Sequence, residues 1–170
     1  MNAWDPITPE TASASPDAAA PAREPAFEAV RAAPEGSRPP TPLVFASPHS
    51  GALYPPEMMA AARLPEAVLK GSEDAFVDRL IAGAPARGVA TIRSRLARSY
   101  IDLNRDPWEL DPAMFEDDAL PEFARGRTAR VAAGLGAIAR VADGRPIYAR
   151  KLTFEEAKAR VEYGHRPYHD

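Results

Sequence analysis

Proline decides where this chain can begin to fold. Nineteen of the 170 residues are proline, and nine of them fall within the first 42. Each one fixes φ and removes a backbone donor, and the residues between them are mostly small: Ala and Ser. Met1 to about Arg38 cannot bury enough apolar surface to offset its ordering entropy, so it is expected to be mostly disordered. Only Ala26-Phe27-Glu28-Ala29-Val30 within it is apolar enough to dock on a folded body. The expected division is a disordered Pro/Ala-rich tail over 1–40 and one domain over 41–170, an ordinary single-domain size.

Composition narrows the chemistry. There is no cysteine, which removes disulfides, thiolate metal sites and cysteine nucleophiles. Any metal must therefore be held by His, Asp or Glu. The net charge of −3 argues against a nucleic-acid partner bound through phosphates. No apolar run approaches the ~20 residues needed to span a bilayer, so no membrane partner is expected. The first residues lack a basic region followed by an apolar stretch, and a cytoplasmic location is expected. Nothing in the sequence fixes an oligomeric state.

Order is expected to begin near Thr41. Leu43-Val44-Phe45-Ala46 is a continuous apolar run that suits a buried parallel strand. Pro48 ends it, because proline cannot donate to a ladder. His49 then stands just past the carboxyl end of the strand, where open α/β sheets bind ligands. Pro55 to about Leu69 reads as a helix broken at Pro65. A second helix is expected to start with Ser72 as N-cap, with Glu73 and Asp74 in its first turn. Its apolar stripe would be Phe76, Val77, Leu80 and Ile81. Val89-Ala90-Thr91-Ile92 and Tyr100-Ile101-Asp102-Leu103 are the next candidate strands, so the order is that of an α/β fold with a mainly parallel or mixed sheet and flanking helices. Asp106 to Phe123, with its prolines and acidic cluster, reads as a long surface loop. Val131 to Val141 reads as a small-residue loop or tight strand. Thr153 and Glu156 form a capping box for a last helix running to about Tyr163.

Four places could carry chemistry. His49 sits in the turn Ser47-Pro48-His49-Ser50-Gly51, where the glycine permits close backbone approach to a ligand. A neutral imidazole at a strand end suits metal or proton work, and an ordinary loop histidine is the plain alternative. Glu73 and Asp74, with Asp78 one turn beyond Asp74, could share a metal with a histidine, although acidic residues in a first turn are also ordinary partners of the helix dipole. Arg98 and Arg105 bracket a short segment in which Asp102 and Asn104 would alternate onto one strand face. Arginine offers a planar fork for a carboxylate, and an Asn amide beside it can serve the same anion; a structural Asp–Arg pair is the competing reading. His165 and His169 have the i,i+4 spacing of a helical metal pair, but Pro167 between them is expected to break the register, so solvated or capping histidines are expected there.

Taken in order, Ser47-Pro48-His49-Ser50-Gly51 with Tyr54-Pro55, Ser72-Glu73-Asp74-Ala75-Phe76-Val77-Asp78, and Arg98-Ser99-Tyr100-Ile101-Asp102-Leu103-Asn104-Arg105 form a set. Glu109-Leu110-Asp111-Pro112, Met114-Phe115, Gly134-Leu135-Gly136 with Ile138, Ile147-Tyr148 and Pro167-Tyr168-His169 complete it. This ordered set, covering about Pro42 to His169, resembles the N-formylglutamate amidohydrolase family. The resemblance implies a carboxypeptidase-like (phosphorylase/hydrolase-like) α/β fold and a zinc amidohydrolase that splits N-formyl-L-glutamate into formate and glutamate, a late step of histidine breakdown. It implies zinc ligation by His49 and by the Glu73-Asp74 pair, with Asp74 favoured. Asn104 and Arg105 would grip the substrate carboxylate. Arg98 would polarise the scissile carbonyl or help bind the acid, and Asp102 would orient Arg98 or Arg105. The implied substrate is N-formylglutamate or a related N-acyl acidic amino acid.

Two departures accompany the resemblance. Carboxypeptidases place a glutamate three residues after the first histidine, and here Ala52 stands at that position. The family also continues past the Pro-Tyr-His segment to a second Asp-x-His-Ser motif, so the third zinc ligand and a catalytic glutamate are expected beyond Asp170. A truncated, non-catalytic homologue that binds acidic small molecules is the alternative reading.

Overall fold

The computed structural model describes residues 23–33, 39–116 and 120–170. Its main sheet has three strands: β1 (Phe27–Val30), β2 (Val44–Ser47) and β3 (Ala90–Ser94), in the order β1-β3-β2. β3 is central because it pairs on both sides. It runs parallel to β2, with Val44 opposite Ala90, and antiparallel to β1, with Phe27 opposite Ser94. The result is an α/β fold with a mixed sheet.

β1 lies within the stretch expected to be a disordered tail, so that expectation fails for these residues. Ala26 is buried, and its carbonyl accepts from the Arg95 amide at 2.8 Å. The Tyr163 hydroxyl donates to the Glu24 carbonyl at 2.7 Å, and Phe27 meets Tyr168 edge to face. The short apolar patch is what docks. β2 forms where expected but is not buried. Among the described residues it is an edge strand with a neighbour on one side only, and Val44 is 61% exposed.

Two short helices follow, α1 (Pro56–Ala61) and α2 (Glu66–Leu69), separated at Pro65 as expected. The Ser72-capped helix does not form. Lys70–Ser72 is a 3-10 turn, and the Ser72 hydroxyl donates backwards to the Leu69 carbonyl instead of capping forwards. Phe76 then adopts a left-handed conformation (φ 69°), and only after it does α3 (Val77–Ile81) begin. Glu73 and Asp74 therefore occupy a link outside any helix, and Asp74 and Asp78 do not share a helix face. Asp78 instead accepts from Arg93 at 3.3 Å. The predicted stripe does not face the core, since Leu80 is 82% exposed.

The core gathers away from the free sheet edge. Met58, Leu96, Tyr100, Ile101, Leu110, Phe115, Ile138, Ile147 and Leu152 are fully buried in one cluster. Much of it comes from segments without regular structure. Asp106 to Phe123 is not the surface loop expected, because Leu110, Met114, Phe115 and Leu120 all enter the core. Tyr100 to Leu103 is a turn and not a strand, with the Tyr100 amide bonded to the Ala97 carbonyl. Helix α4 (Ala129–Ala132) is capped by Thr128. Strands β4 (Val141–Ala142) and β5 (Arg145–Pro146) form a hairpin turned by Asp143 and Gly144, both at positive φ as such a two-residue turn requires.

Helix α5 (Phe154–Arg160) carries the expected capping box: Thr153 accepts from the Glu156 amide, and Glu156 accepts from the Thr153 amide. It runs on through a π-helical segment, Val161–His165, into α6 (Arg166–His169). Among the described residues no helix is long and apolar enough to cross a membrane.

Candidate active site

The site begins where β2 ends. The turn from Ser47 to Gly51 folds tightly against Arg95 and Leu96. A Cβ on Gly51 would stand 2.2 Å from the Leu96 carbonyl oxygen, so only glycine lets the two segments meet. Within the turn the Ser47 hydroxyl donates to that of Ser50 at 2.7 Å. The Asp74 amide donates to the His49 carbonyl at 3.0 Å, which ties the Glu73-Asp74 link to the histidine.

The imidazole of His49 lies between two carboxylates. Nε2 is 2.7 Å from Asp102 Oδ1, and Nδ1 is 3.2 Å from Asp74 Oδ2. Asp102 is buried, and burial alone would raise its carboxyl. The hydrogen bond and charge of His49, the Asn104 amide and Arg98 outweigh burial and hold it at about 2. Ionised, it can only accept. Each ring nitrogen of His49 thus faces a carboxylate oxygen.

Asp102 also organises the next residues. Its Oδ1 accepts from the Asn104 amide at 2.9 Å, closing a turn in place of the expected strand alternation. Its Oδ2 accepts from Arg98 Nη2 at 2.9 Å and lies 3.9 Å from Arg105 Nε. Arg98 Nη1 is 3.6 Å from Asp74. Tyr100, Ile101 and Leu103 are buried while Arg98 and Arg105 stay partly exposed and Asn104 fully so. The core thus anchors a segment that holds Asp102 buried beneath Arg98 and the exposed Asn104. His49, Asp74, Arg98, Asp102 and Arg105 are brought together as the sequence suggests.

Glu73 goes elsewhere. Its carboxylate accepts from the Tyr54 hydroxyl at 2.5 Å. Burial, and then this bond, push the Tyr54 hydroxyl above its usual range. Among the described residues no three His, Asp or Glu side chains are grouped as a metal site. His49 and Asp74 are the pair that could share an ion.

His165 and His169 were not expected to serve this region, and they do. Pro167 is the second residue of α6, which follows directly on the π-helical segment, and the helix continues through it. The rings lie 4.4 Å apart. His165 Nε2 is 2.8 Å from the Arg105 carbonyl, and His169 Nε2 is 2.8 Å from that of Leu103. Burial pushes the His165 pKa down, which favours the neutral ring. The two histidines support the Asn104-Arg105 turn from behind. Their i,i+4 spacing was the available signal.

A cavity of about 380 Å³ opens over Asp74, Arg98 and Asp102, with Glu73 also in its wall. A larger hollow of about 500 Å³ lies beside Arg93 and Arg95, whose guanidinium groups are already paired with Glu28, Asp78 and Glu24. None of His49, Asp74, Arg98 and Asp102 lines it, so the smaller cavity is the one that belongs to the site.

The sequence model of the N-formylglutamate amidohydrolase family matches residues 41–170. This chain belongs to that family. The crystal structure of N-formylglutamate amidohydrolase from Ralstonia eutropha JMP134 is similar, with 36% sequence identity and a TM-score of 0.74. The match covers 85% of this chain and 49% of that one, so the chain spans about half the length of its solved relative. No curated protein matches. Family membership accounts for the order of the motifs from Ser47 to His169. The contacts among His49, Asp74, Arg98 and Asp102 are what this N-formylglutamate amidohydrolase family member makes of them.

Proposed function

We propose that this chain serves metal-dependent hydrolysis of the amide bond in an N-acyl amino acid, and that His49 and Asp74 would hold a zinc ion. The observation that carries this is the placement of the His49 ring between two carboxylates, Nε2 against Asp102 and Nδ1 against Asp74. Ligand bonds of about 2.0–2.2 Å in tetrahedral geometry would set the two donor atoms roughly 3.4 Å apart, and here they are 3.2 Å apart. A carboxylate on the far nitrogen of a ligating histidine is the usual support for such a site. When bound there, zinc would supply Lewis acidity toward an acyl oxygen or water.

The remaining steps rest on the chain's own side chains. Arg105 and Asn104 grip the substrate carboxylate, the arginine by its planar fork. Arg98, aimed by Asp102 and Asp74, faces the acyl oxygen. Holding both ends of the substrate places the amide carbon for attack. Glu73, engaged by Tyr54, is left outside the ligand set. The family name makes N-formylglutamate the first substrate to assay.

One observation favours a second reading, a binder of acidic small molecules without turnover: only two donor side chains converge among the described residues. An assay of formate release from N-formyl amino acids, with zinc supplied, decides between them. Release that disappears in Arg98→Ala supports hydrolysis. Calorimetric binding of the same compounds with no release supports the binder.

A further inference from the structure

Asp74 stands on a link that packing does little to hold. Ala75 and Phe76 after it are exposed, Phe76 is in the left-handed conformation, and α3 beyond buries no residue. Before it, the nearest side chain in the core is that of Leu69. The Asp74 carboxylate is itself half exposed. A segment with so few buried contacts opens easily unless polar bonds tie it down. Apart from the contacts of its carboxylate with His49 and Arg98, two bonds do so. The Asp74 amide donates to the His49 carbonyl at 3.0 Å, and the neighbouring Glu73 carboxylate accepts from the Tyr54 hydroxyl at 2.5 Å. The next tie, Asp78 to Arg93, is four residues further on.

Tyr54 is a firm post for this purpose. It is buried, and Leu53 beside it is locked to the segment that leads to Arg98. The Leu53 amide donates to the Arg95 carbonyl at 2.8 Å, and the Ala97 amide donates to the Leu53 carbonyl at 3.0 Å. Three residues before Tyr54, Gly51 lies against Leu96. The hydroxyl is therefore fixed relative to the turn that carries His49 and to the segment that carries Arg98.

We propose that Tyr54 is a positioning residue: its hydroxyl holds Glu73 and thereby sets the Asp74 carboxylate against His49 Nδ1. Tyr54 acts through Glu73 and supplies no ligand of its own. This role rests on the reading under Proposed function that His49 and Asp74 hold zinc. Zinc affinity of the purified chain, measured by competition with a chromophoric chelator, tests it. Tyr54→Phe keeps the ring and both ligands, and should weaken zinc about tenfold, the low end of the cost of losing support behind a ligand. Glu73→Ala should weaken it equally. Glu73→Gln should not, because its amide oxygen still accepts from Tyr54. The double variant Tyr54→Phe/Glu73→Ala should bind no worse than either single one, as for two groups acting as one pair. A tyrosine that only stabilises the fold would lower the urea midpoint of the zinc-free chain and leave zinc affinity in place. Unchanged or tighter zinc binding in Tyr54→Phe, or additive losses in the double variant, overturns the inference alone, provided His49→Ala abolishes uptake. No zinc uptake by the parent chain overturns both the inference and the reading beneath it.

Discussion

Asp102 Oδ1 lies 2.7 Å from His49 Nε2, and Asp74 Oδ2 lies 3.2 Å from Nδ1 on the other side of the ring. The ring is thereby held with Nε2 on Asp102 and Nδ1 toward Asp74. The same carboxylate takes the Asn104 amide and Arg98. One buried group thus orients a candidate metal ligand, a candidate carboxylate grip and a candidate acyl-oxygen partner together.

Removing it should be costly for the metal. Asp102→Ala is expected to weaken zinc binding by about 10–100-fold, the usual cost of losing a carboxylate behind a ligating histidine. Competition with a chromophoric chelator measures this. An affinity unchanged from the parent chain would separate Asp102 from the metal altogether.

The turn that carries His49 should tolerate no side chain at Gly51. In Gly51→Ala the new Cβ meets the Leu96 carbonyl oxygen at 2.2 Å and the Arg95 carbonyl carbon at 2.5 Å, both backbone atoms that cannot swing aside. A loss of at least about 2 kcal/mol in unfolding free energy is expected, on the scale of overpacking, together with weaker zinc binding. Urea melts and the chelator competition check the two effects separately.

Acid should weaken α5 through its cap. The Arg150 hydrogen bond, against some opposing burial and with help from the Thr153 amide, lowers the Glu156 carboxyl from 4.5 to about 2. A folded pKa below the unfolded one means the unfolded chain binds more protons in between. The stabilisation is therefore complete above about pH 4.5 and is lost as pH falls toward 2. Much of this group faces solvent, so screening should keep the effect under about 1 kcal/mol. Urea melts from pH 5 to pH 2.5 should show a shallower decline in Glu156→Gln than in the parent.

What could be read from the sequence follows how local each signal is. Thr153 and Glu156 are three residues apart and satisfy each other, so the cap was legible. So was the break at Pro65, where one ring settles the matter. The Ser72 helix was misread because its start depends on Phe76 adopting a left-handed conformation, which no pattern of apolar residues announces. Leu43 to Ala46 reads as a buried strand, yet among the described residues β2 has a neighbour on one side only. Burial is a property of what packs on a strand, and the strand's own residues do not encode it. That His49, Asp74, Arg98, Asp102 and Arg105 would come together was legible from their motifs. The division of labour between Glu73 and Asp74 was not, because it turns on the Tyr54 hydroxyl, 19 positions away. The support from His165 and His169 was hidden by Pro167, which only the π-helical segment before it makes harmless.

Zinc titration by calorimetry tests the central claim most directly. The parent chain should take up one zinc per molecule. Uptake should be lost in His49→Ala and Asp74→Ala and kept in Glu73→Gln, whose side chain belongs to Tyr54. Uptake that persists unchanged in His49→Ala would contradict the account.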